Sequence, residues 1–176
     1  MDSRSLLAHE APAGYDRRAM RVGIGYDIHR LEAGRGLVIG GVQLPSERGA
    51  LGHSDADVLL HALIDALLGA AALGDIGGHF PAGEPRWKDA DSAELLRLVH
   101  AELDAAGWKI ENIDANVIVE QPRLAEHLLP IRGRIAAVLG LPVDCVSVKA
   151  KTNERLGPVG AGDAIAAQVM VLIDRQ

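Results

Sequence analysis

The sequence predicts a single α/β domain of the α+β type, in which a mixed sheet of four to five strands carries helices on one face. The chain has 176 residues, of which 48% are hydrophobic and 24% are charged, a balance typical of one globular domain with a substantial core. Short apolar segments of strand length are interspersed with longer segments of helical period. This mixture favours one compact layer of helices packed on a sheet.

Residues 1–19 differ from the rest of the chain. They show neither helical nor strand periodicity, and they lack the apolar region of a signal peptide. We therefore expect a flexible N-terminal extension over residues 1–19 and one domain over residues 20–176.

Composition also bears on the location and partners of the protein. No apolar run reaches the roughly 18 residues that a membrane helix needs. A net charge of −6 argues against nucleic acid as the main partner, and the single cysteine, Cys145, fits a reducing compartment. The sequence therefore predicts a cytoplasmic protein that binds neither membrane nor nucleic acid.

Two strands and a helix are predicted in the first part of the domain. Residues 21–25 begin a strand, because apolar residues continue at every second position. These positions are Val22, Ile24, Tyr26 and Ile28. Residues 37–42 form a second, short strand. A helix begins at Ser54, with Asp57 three residues later as in a capping box, and extends to Leu73.

The second part of the domain begins with a loop over residues 74–88, whose two prolines and four glycines indicate function rather than a simple connection. The elements that follow are a helix from Asp91 or Ser92 to Gly107, a strand over 113–120, a helix over 127–139, a strand over 143–152 and a segment over 165–173. The last segment is compatible with a strand or a helix, and we assign it as a strand. Cys145 is interpreted as a small core residue.

Asp27, His29 and His61 are candidate ligands of a metal ion. Asp27 and His29 are two residues apart on a strand and therefore share a face, and His61 lies in an otherwise apolar helix. One carboxylate and two imidazoles suit Zn²⁺, and three protein ligands leave its fourth position open, as in catalytic sites. Alternatively, His61 is a hydrogen-bonded histidine without a metal. Asp57 and Asp65 lie one turn from His61 and are predicted to orient its second ring nitrogen.

Three further segments each allow a functional and a structural interpretation. His53 and Ser54 precede a helix, where they can bind phosphate, or Ser54 is only the N-cap. Asp75 lies in a glycine-flanked loop, where it can accept hydrogen bonds from sugar hydroxyls or simply form a turn. Thr152 and Glu154 follow a strand, where they can bind phosphate and Mg²⁺ or form a polar strand end.

In combination these segments resemble the 2-C-methyl-D-erythritol 2,4-cyclodiphosphate synthase family of the non-mevalonate isoprenoid pathway, over residues 20 to about 175. The resemblance depends on an ordered series of motifs. They are Gly-x-Asp-x-His at 25–29, Ile-Gly-Gly-Val at 39–42, Gly-His-Ser-Asp-Ala-Asp at 52–57 with His61, Ala-Ala-Leu-Gly-Asp-Ile-Gly at 71–77, Asp91-Ser92, Val-Lys-Ala at 148–150 with Thr152, and Glu154-x-Leu156-Gly157.

The resemblance implies an α/β domain that assembles as a homotrimer with active sites at subunit interfaces. The implied enzyme is a phosphorus–oxygen lyase whose substrate is 4-diphosphocytidyl-2-C-methyl-D-erythritol 2-phosphate. The 2-phosphate attacks the β-phosphorus, which releases CMP and closes a cyclic diphosphate. The alternatives are a zinc-dependent phosphohydrolase, which would release a linear product, and a noncatalytic nucleotide-binding trimer.

The resemblance also implies roles for individual residues. Asp27, His29 and His61 would hold Zn²⁺, and Glu154 would hold a second ion, Mg²⁺ or Mn²⁺. His53 and Thr152 would stabilise the charged transition state. Substrate contacts are implied for Ser54, Asp75, Gly77 and Phe80 and, from the adjacent subunit, for Pro122, Arg123, Leu124, Ala150 and Lys151.

Overall fold

A computed structural model describes residues 20–176, which form a five-stranded sheet, a small hairpin and helices on one face of the sheet. The strands are β1 (Arg21–Ala33), β2 (Leu37–Ile39), β3 (Val42–Leu44), β4 (Arg48–Ala50), β5 (Trp108–Ile118), β6 (Val146–Lys151) and β7 (Ala164–Arg175). The helices are α1 (Val58–Ala71), α2 (Ile76–His79), α3 (Ser92–Ala105), α4 (Leu128–Leu139) and α5 (Gly157–Gly160). The extension predicted over residues 1–19 lies outside the described residues.

The main sheet has the strand order β4-β1-β7-β5-β6. Every neighbouring pair is antiparallel except β5 and β6, which are parallel. The predicted mixed sheet with helices on one face is therefore confirmed. None of the helices within residues 20–176 is long and apolar enough to span a bilayer.

Two glycines of β1 bring α1 unusually close to the sheet. A Cβ atom at Gly23 would lie 1.9 Å from the carbonyl oxygen of Ala66, and one at Gly25 would lie 1.9 Å from that of Ala62. No side chain fits at either position, so the helix backbone rests directly on the strand. This contact places His61 of α1 above the middle of β1, where Asp27 and His29 follow Gly25 on the same face.

The opposite face of the sheet is exposed and apolar along β1. Exposed side chains at every second residue confirm the predicted strand alternation and continue onto β7. They are Val22, Ile24, Tyr26 and Ile28 of β1 and Met170 of β7. A contiguous apolar surface of this kind is typical of an interaction surface.

Two predicted elements near the first helix are corrected. Residues 37–42 are not one strand, because Gly40 and Gly41 have φ values of 62° and 72° and form the two-residue turn of the β2–β3 hairpin. The helix begins at Val58 rather than Ser54, because the Asp57 side chain accepts hydrogen bonds from the first free N–H groups of the helix. It ends at Ala71 rather than Leu73.

The later strands also differ from their predicted bounds. β5 begins at Trp108, five residues earlier than predicted, because a bulge between Ile110 and Asn112 interrupts the alternation of side chains. β6 begins at Val146, because residues Val143–Cys145 form a turn of 3₁₀ helix that leaves Cys145 half-buried. The assignment of residues 165–173 as a strand is confirmed by β7.

Candidate active site

Asp27, His29 and His61 converge at the contact between β1 and α1. Asp27 Oδ2 lies 2.9 Å from His29 Nε2 and 3.0 Å from His61 Nδ1. The two ring nitrogens are 3.1 Å apart. Each residue thus directs one ligand atom at a common point, and all three side chains are partly buried.

The donor set and its spacing fit a zinc ion. Ligands about 2.0–2.1 Å from Zn²⁺ in tetrahedral geometry lie about 3.3 Å from one another. The three observed distances are slightly shorter, so a small outward movement of each side chain would admit the ion. The structure brings together the three predicted ligands, and the identity of the ion belongs to the proposal below.

Electrostatics at this point favour a bound cation. Burial opposes ionisation of Asp27, but hydrogen bonds from His29 and His61 outweigh it and hold the pKa of the carboxyl below its usual range. Burial likewise opposes a charge on His61, yet the hydrogen bond to Asp27 raises the pKa of the imidazole. Because the site stabilises positive charge beside Asp27, protons and metal ions compete for it.

The second ring nitrogen of His61 faces two serines. His61 Nε2 lies 2.9 Å from Ser92 Oγ and 3.0 Å from Ser54 Oγ. The hydroxyl of Ser92 donates to Asp55 Oδ1, and its backbone N–H donates to Asp55 Oδ2 at 3.0 Å. Sequence reasoning assigned no such role to Asp55 or Ser92. The Asp91-Ser92 motif was a local signal, but nothing in the spacing linked it to His61.

Asp57 and Asp65 do not orient His61, so that prediction is wrong. Asp57 is fully buried, and it accepts hydrogen bonds from the first turn of α1 and from the N–H groups of Gly40 and Gly41. Asp65 accepts from Ile76 N–H at 2.7 Å. Both carboxylates therefore accept hydrogen bonds from backbone N–H groups. Burial is the main reason that the pKa of each is raised.

A cavity of about 220 Å³ is lined by His29 and His61 of the ligand set. Its lining includes four further predicted site residues, His53, Ser54, Gly77 and Phe80. Asp75 does not line it. This carboxylate is the N-cap of α2, where it accepts a hydrogen bond from Gly78 N–H at 2.8 Å.

Trp87 is a cavity residue that sequence reasoning missed. Its ring meets Phe80 edge-on, with centroids 4.9 Å apart. Its indole N–H is buried and has no hydrogen-bond partner within residues 20–176. The available signal was a rare aromatic residue inside the loop already predicted to be functional.

The predicted nucleotide residues line a second cavity, of about 430 Å³, at the end of β5 and β6. The predicted residues around it are Pro122, Arg123, Leu124, Ala150, Lys151 and Thr152. Beside it, Thr152 Oγ1 donates to Glu154 Oε1 at 2.8 Å. Glu120 accepts hydrogen bonds from the N–H groups of Asn153 and Arg155, at 3.0 and 3.3 Å. These bonds hold Glu154 and Arg155 at φ values of 49° and 64°, a conformation uncommon for residues other than glycine.

One chain does not bring the two cavities together. Asp27 pairs with Ala167, Ala167 with Val117, and Val117 with Ala150, so these residues form one row across the sheet. Three strand spacings of about 4.8 Å separate the ends of the row by about 14 Å. The metal ligands and the nucleotide residues therefore lie two intervening strands apart.

Comparison with known proteins assigns the chain to a family. The model of the YgbB family matches residues 20–174. Curated proteins from Burkholderia thailandensis and Moorella thermoacetica are 58% and 57% identical to the chain, cover 89% of it, and match over 96% and 97% of their own lengths. Both are named 2-C-methyl-D-erythritol 2,4-cyclodiphosphate synthase. The chain belongs to this synthase family.

Solved structures of the family share the fold. A CDP-bound synthase superposes with a TM-score of 0.82 at 39% identity, over 88% of this chain and 100% of that one. IspF of Plasmodium falciparum, also a CDP complex, gives a TM-score of 0.80 at 32% identity, over 92% and 99% of the two chains. The bifunctional IspDF of Campylobacter jejuni gives 0.87 at 36% identity, over 90% of this chain and 43% of that one.

These comparisons confirm the predicted family, fold class and enzyme class. Curated members carry the name of a cyclising synthase, which is a lyase of isoprenoid biosynthesis. The CDP in two solved relatives supports a small nucleotide-containing substrate for the family.

Proposed function

We propose that this protein converts 4-diphosphocytidyl-2-C-methyl-D-erythritol 2-phosphate to 2-C-methyl-D-erythritol 2,4-cyclodiphosphate and CMP. The observation that carries the proposal is the convergence of Asp27, His29 and His61 beside a cavity, in a chain 58% identical to a synthase of that name. In the reaction, an oxygen of the 2-phosphate bonds to the β-phosphorus while the bond from that phosphorus to the bridging oxygen breaks. CMP leaves with that oxygen.

Two metal ions complete this site. Asp27, His29 and His61 would hold Zn²⁺, and Glu154 would hold Mg²⁺ or Mn²⁺ together with substrate phosphates, because isolated carboxylates commonly bind these ions in that way. When bound, such ions polarise phosphoryl oxygens and neutralise their charge.

The remaining residues position the substrate. Since both reacting groups belong to one molecule, holding them in line accounts for much of the rate. His53 and Ser54 line the cavity next to the ligand set, where they can donate hydrogen bonds to phosphoryl oxygens. Thr152 would do so from the nucleotide end. Gly77 and Phe80 would enclose the methylerythritol, and the exposed carboxylate of Asp75 would accept a hydrogen bond from its hydroxyls.

The base pocket would use the second cavity. Pro122 and Leu124 supply apolar surface and Ala150 leaves room beside it, while Arg123 and Lys151 supply positive charge for phosphate and ribose oxygens. Few aromatic residues are available in this chain, so the base would be bound mainly by aliphatic and backbone contacts.

We also propose that the active protein is a homotrimer with its sites between subunits. The separation of the half-sites by about 14 Å within one chain supports this arrangement, since a neighbouring copy can bring its nucleotide residues to the metal ligands. The exposed apolar face of β1 and β7 supplies a surface for such contact. Light scattering coupled to gel filtration should give a mass three times that of the chain, and a monomeric active species would contradict the proposal.

We also propose that the protein is cytoplasmic and that its functional domain begins at residue 20. A chain truncated to begin at Met20 should retain full turnover, because the family match and every predicted site residue lie within residues 20–174. Loss of activity on truncation would show that residues 1–19 belong to the functional domain.

A product assay tests the proposed reaction. Purified protein is incubated with the diphosphocytidyl substrate and Mg²⁺, with and without a zinc chelator, and phosphorus NMR identifies the products. We expect CMP and a cyclic diphosphate, both lost on chelation. CMP with a linear product would indicate the phosphohydrolase, and absence of turnover by zinc-loaded trimer would indicate a binding protein.

A further inference from the structure

A partly buried chain of hydrogen bonds connects Nε2 of His61 to the carboxylate of Asp55. It consists of Asp55 in the segment before α1, Ser92 at the start of α3, and His61 within α1. Ser92 is fully buried. Asp55 and Ser92 are 37 positions apart, and neither directs an atom at the point where the metal ligands converge.

The position of each hydrogen in this chain follows from counting donors. The carboxylate of Asp55 only accepts, so the single hydroxyl hydrogen of Ser92 is directed at it. Ser92 Oγ then has only lone pairs for the nitrogen 2.9 Å away, so it forms a hydrogen bond there only when His61 Nε2 carries a hydrogen. On the other side of the ring, Nδ1 lies 3.0 Å from Asp27 Oδ2, which also only accepts. Asp27 therefore favours hydrogen on Nδ1, whereas Ser92 favours hydrogen on Nε2, which leaves the lone pair of Nδ1 for a metal ion.

Ser54 provides a second acceptor for the same hydrogen. Its Oγ lies 3.0 Å from His61 Nε2 and also accepts a hydrogen bond from Ala56 N–H. Unlike Ser92, Ser54 has no carboxylate holding its hydroxyl hydrogen within the described residues, so it accommodates either tautomer of His61. Asp55 and Ser92 therefore favour the Nε2–H tautomer, and Asp27 favours the other.

We propose that Asp55 and Ser92 are positioning residues that hold His61 in its Nε2–H tautomer and thereby set the zinc affinity of the Asp27, His29 and His61 ligands. The inference rests on the metal role given to these residues in the proposed function. A histidine with hydrogen on Nδ1 has no lone pair for the ion, so binding would first require the hydrogen to move.

Asp55→Asn is the sharpest test, because it removes the carboxylate charge that directs the Ser92 hydrogen away from His61. Asp55 Oδ2 accepts from Ser92 N–H, and Oδ1 accepts from Ser92 Oγ–H and from Asp57 N–H. The amide oxygen of asparagine can take only one of these two positions, and when it faces Ser92 N–H the amide NH₂ faces Ser92 Oγ. Ser92 then donates its own hydrogen to His61 Nε2, which leaves the imidazole hydrogen on Nδ1. The shape of the side chain is retained while the charge that fixes the Ser92 hydrogen is lost, so the preference for Nε2–H is weakened.

Zinc affinity, measured by competition with a chromogenic chelator, is the first readout. Partners of metal-bound histidines typically change metal affinity by about 10–100-fold, so we expect Asp55→Asn to weaken zinc binding by about 100-fold. Ser92→Ala should weaken it by about 10-fold only, because Ser54 still accepts from Nε2. Asp91→Asn is the matched control, since asparagine caps α3 as well as aspartate and zinc affinity should be unchanged.

The tautomer itself is the second readout, and a purely structural role would not change it. Long-range ¹H–¹⁵N spectra of the metal-free protein should show a larger fraction of His61 with hydrogen on Nε2 in the wild type than in Asp55→Asn, because Asp27 attracts the hydrogen to Nδ1 in both proteins. Circular dichroism establishes that each variant is folded. If Asp55→Asn does not fold, the zinc affinity of Ser92→Ala is compared with that of its control, Asp91→Asn, and equal affinities would overturn the inference.

Unchanged zinc affinity in folded Asp55→Asn, or equal fractions of the Nε2–H tautomer in the wild type and Asp55→Asn, would overturn the inference. The proposed function fails separately, because a protein that shows the expected order of zinc affinities but forms no cyclic diphosphate would contradict only the proposed reaction.

Discussion

The site residues on β1 and those after β6 differ in their burial and in the contacts that they make. At the β1 end, the side chains of Asp27, His29 and His61 are partly buried and linked to one another before any ligand is present. At the β6 end, Thr152 and Glu154 are exposed on a loop. The first half-site is thus preorganised within one chain, whereas the second depends on substrate, a second ion and a neighbouring copy to complete it.

The largest effect is expected at the preorganised end. His61→Ala removes one of three zinc ligands, and since metal-ion stabilisation accounts for several kcal/mol, turnover should fall by about 1,000-fold or more. The protein should remain folded because alanine favours a helix. Atomic emission measures the bound zinc, and the product assay measures turnover.

His100→Ala is the matched control for that variant, since His100 is also a partly buried helical histidine but lies next to Asp104 instead of the metal ligands. Its zinc content and turnover should equal those of the wild type. Full activity in a zinc-free His61→Ala protein would refute the metal assignment.

The close contact of β1 with α1 predicts the next largest effect. In Gly25→Ala the new Cβ would meet the carbonyl oxygen of Ala62, so α1 must move away from the metal ligands. Overpacking of this kind costs about 1–3 kcal/mol of unfolding free energy or more, and zinc affinity should fall with it. Urea denaturation and chelator competition measure the two changes.

Gly69→Ala provides the control within α1, where nothing lies near the added Cβ. It should stabilise the protein by up to about 1 kcal/mol, because alanine favours a helix more than glycine does. Equal stabilities of the two variants would show that the close approach of helix and strand is not needed.

A smaller effect is expected at the exposed end. Glu154→Gln removes the charge that would hold Mg²⁺, so the Mg²⁺ concentration needed for half-maximal turnover should rise by about 10–100-fold while zinc affinity stays unchanged. Glu126→Gln, in the neighbouring exposed segment, should leave both unchanged. A parallel loss of zinc from Glu154→Gln would mean that the two half-sites are not independent.

The smallest effect concerns the surface ion pair between β5 and β6. A hydrogen bond from Lys149 is the main reason that the pKa of Asp114 lies below its usual value of 3.8. A lowered folded-state pKa stabilises the protein above the unfolded-state value, and that contribution is lost as the pH falls through the folded-state pKa. Lys149→Met should therefore lower the melting temperature slightly at neutral pH, and the difference from the wild type should shrink as the pH falls below about 4. A difference of unchanged size in strong acid would contradict this.

Much of the metal end could be predicted from the sequence because its signals are local. The two-residue spacing of Asp27 and His29 fixes a shared face, and the helical pattern around His61 gives its element. The partners of His61 could not be predicted in this way. Asp55 and Ser92 meet it only through packing of α3 against α1, and the helical spacing of Asp57 and Asp65 suggested other partners.

Element boundaries failed where two local signals competed. Ser54 and Asp57 are both good N-caps, and only the hairpin N–H groups that Asp57 also binds show why the helix starts after Asp57. In β5, the bulge at Ile110 and Asn112 hid the first part of the strand from a period-two search. In both cases the deciding contact involves a distant segment of the chain.

Mixing two variants at a limiting Mg²⁺ concentration, at which each is nearly inactive, tests most directly whether the half-sites of different copies form one active site. His61→Ala protein retains its nucleotide end, and Glu154→Gln protein retains its metal end. After the two are unfolded and refolded together, random trimers should regain roughly a quarter of the wild-type activity per chain, because one interface in a mixed trimer has both ends intact. Activity no higher than that of the separate variants would contradict a site shared between copies.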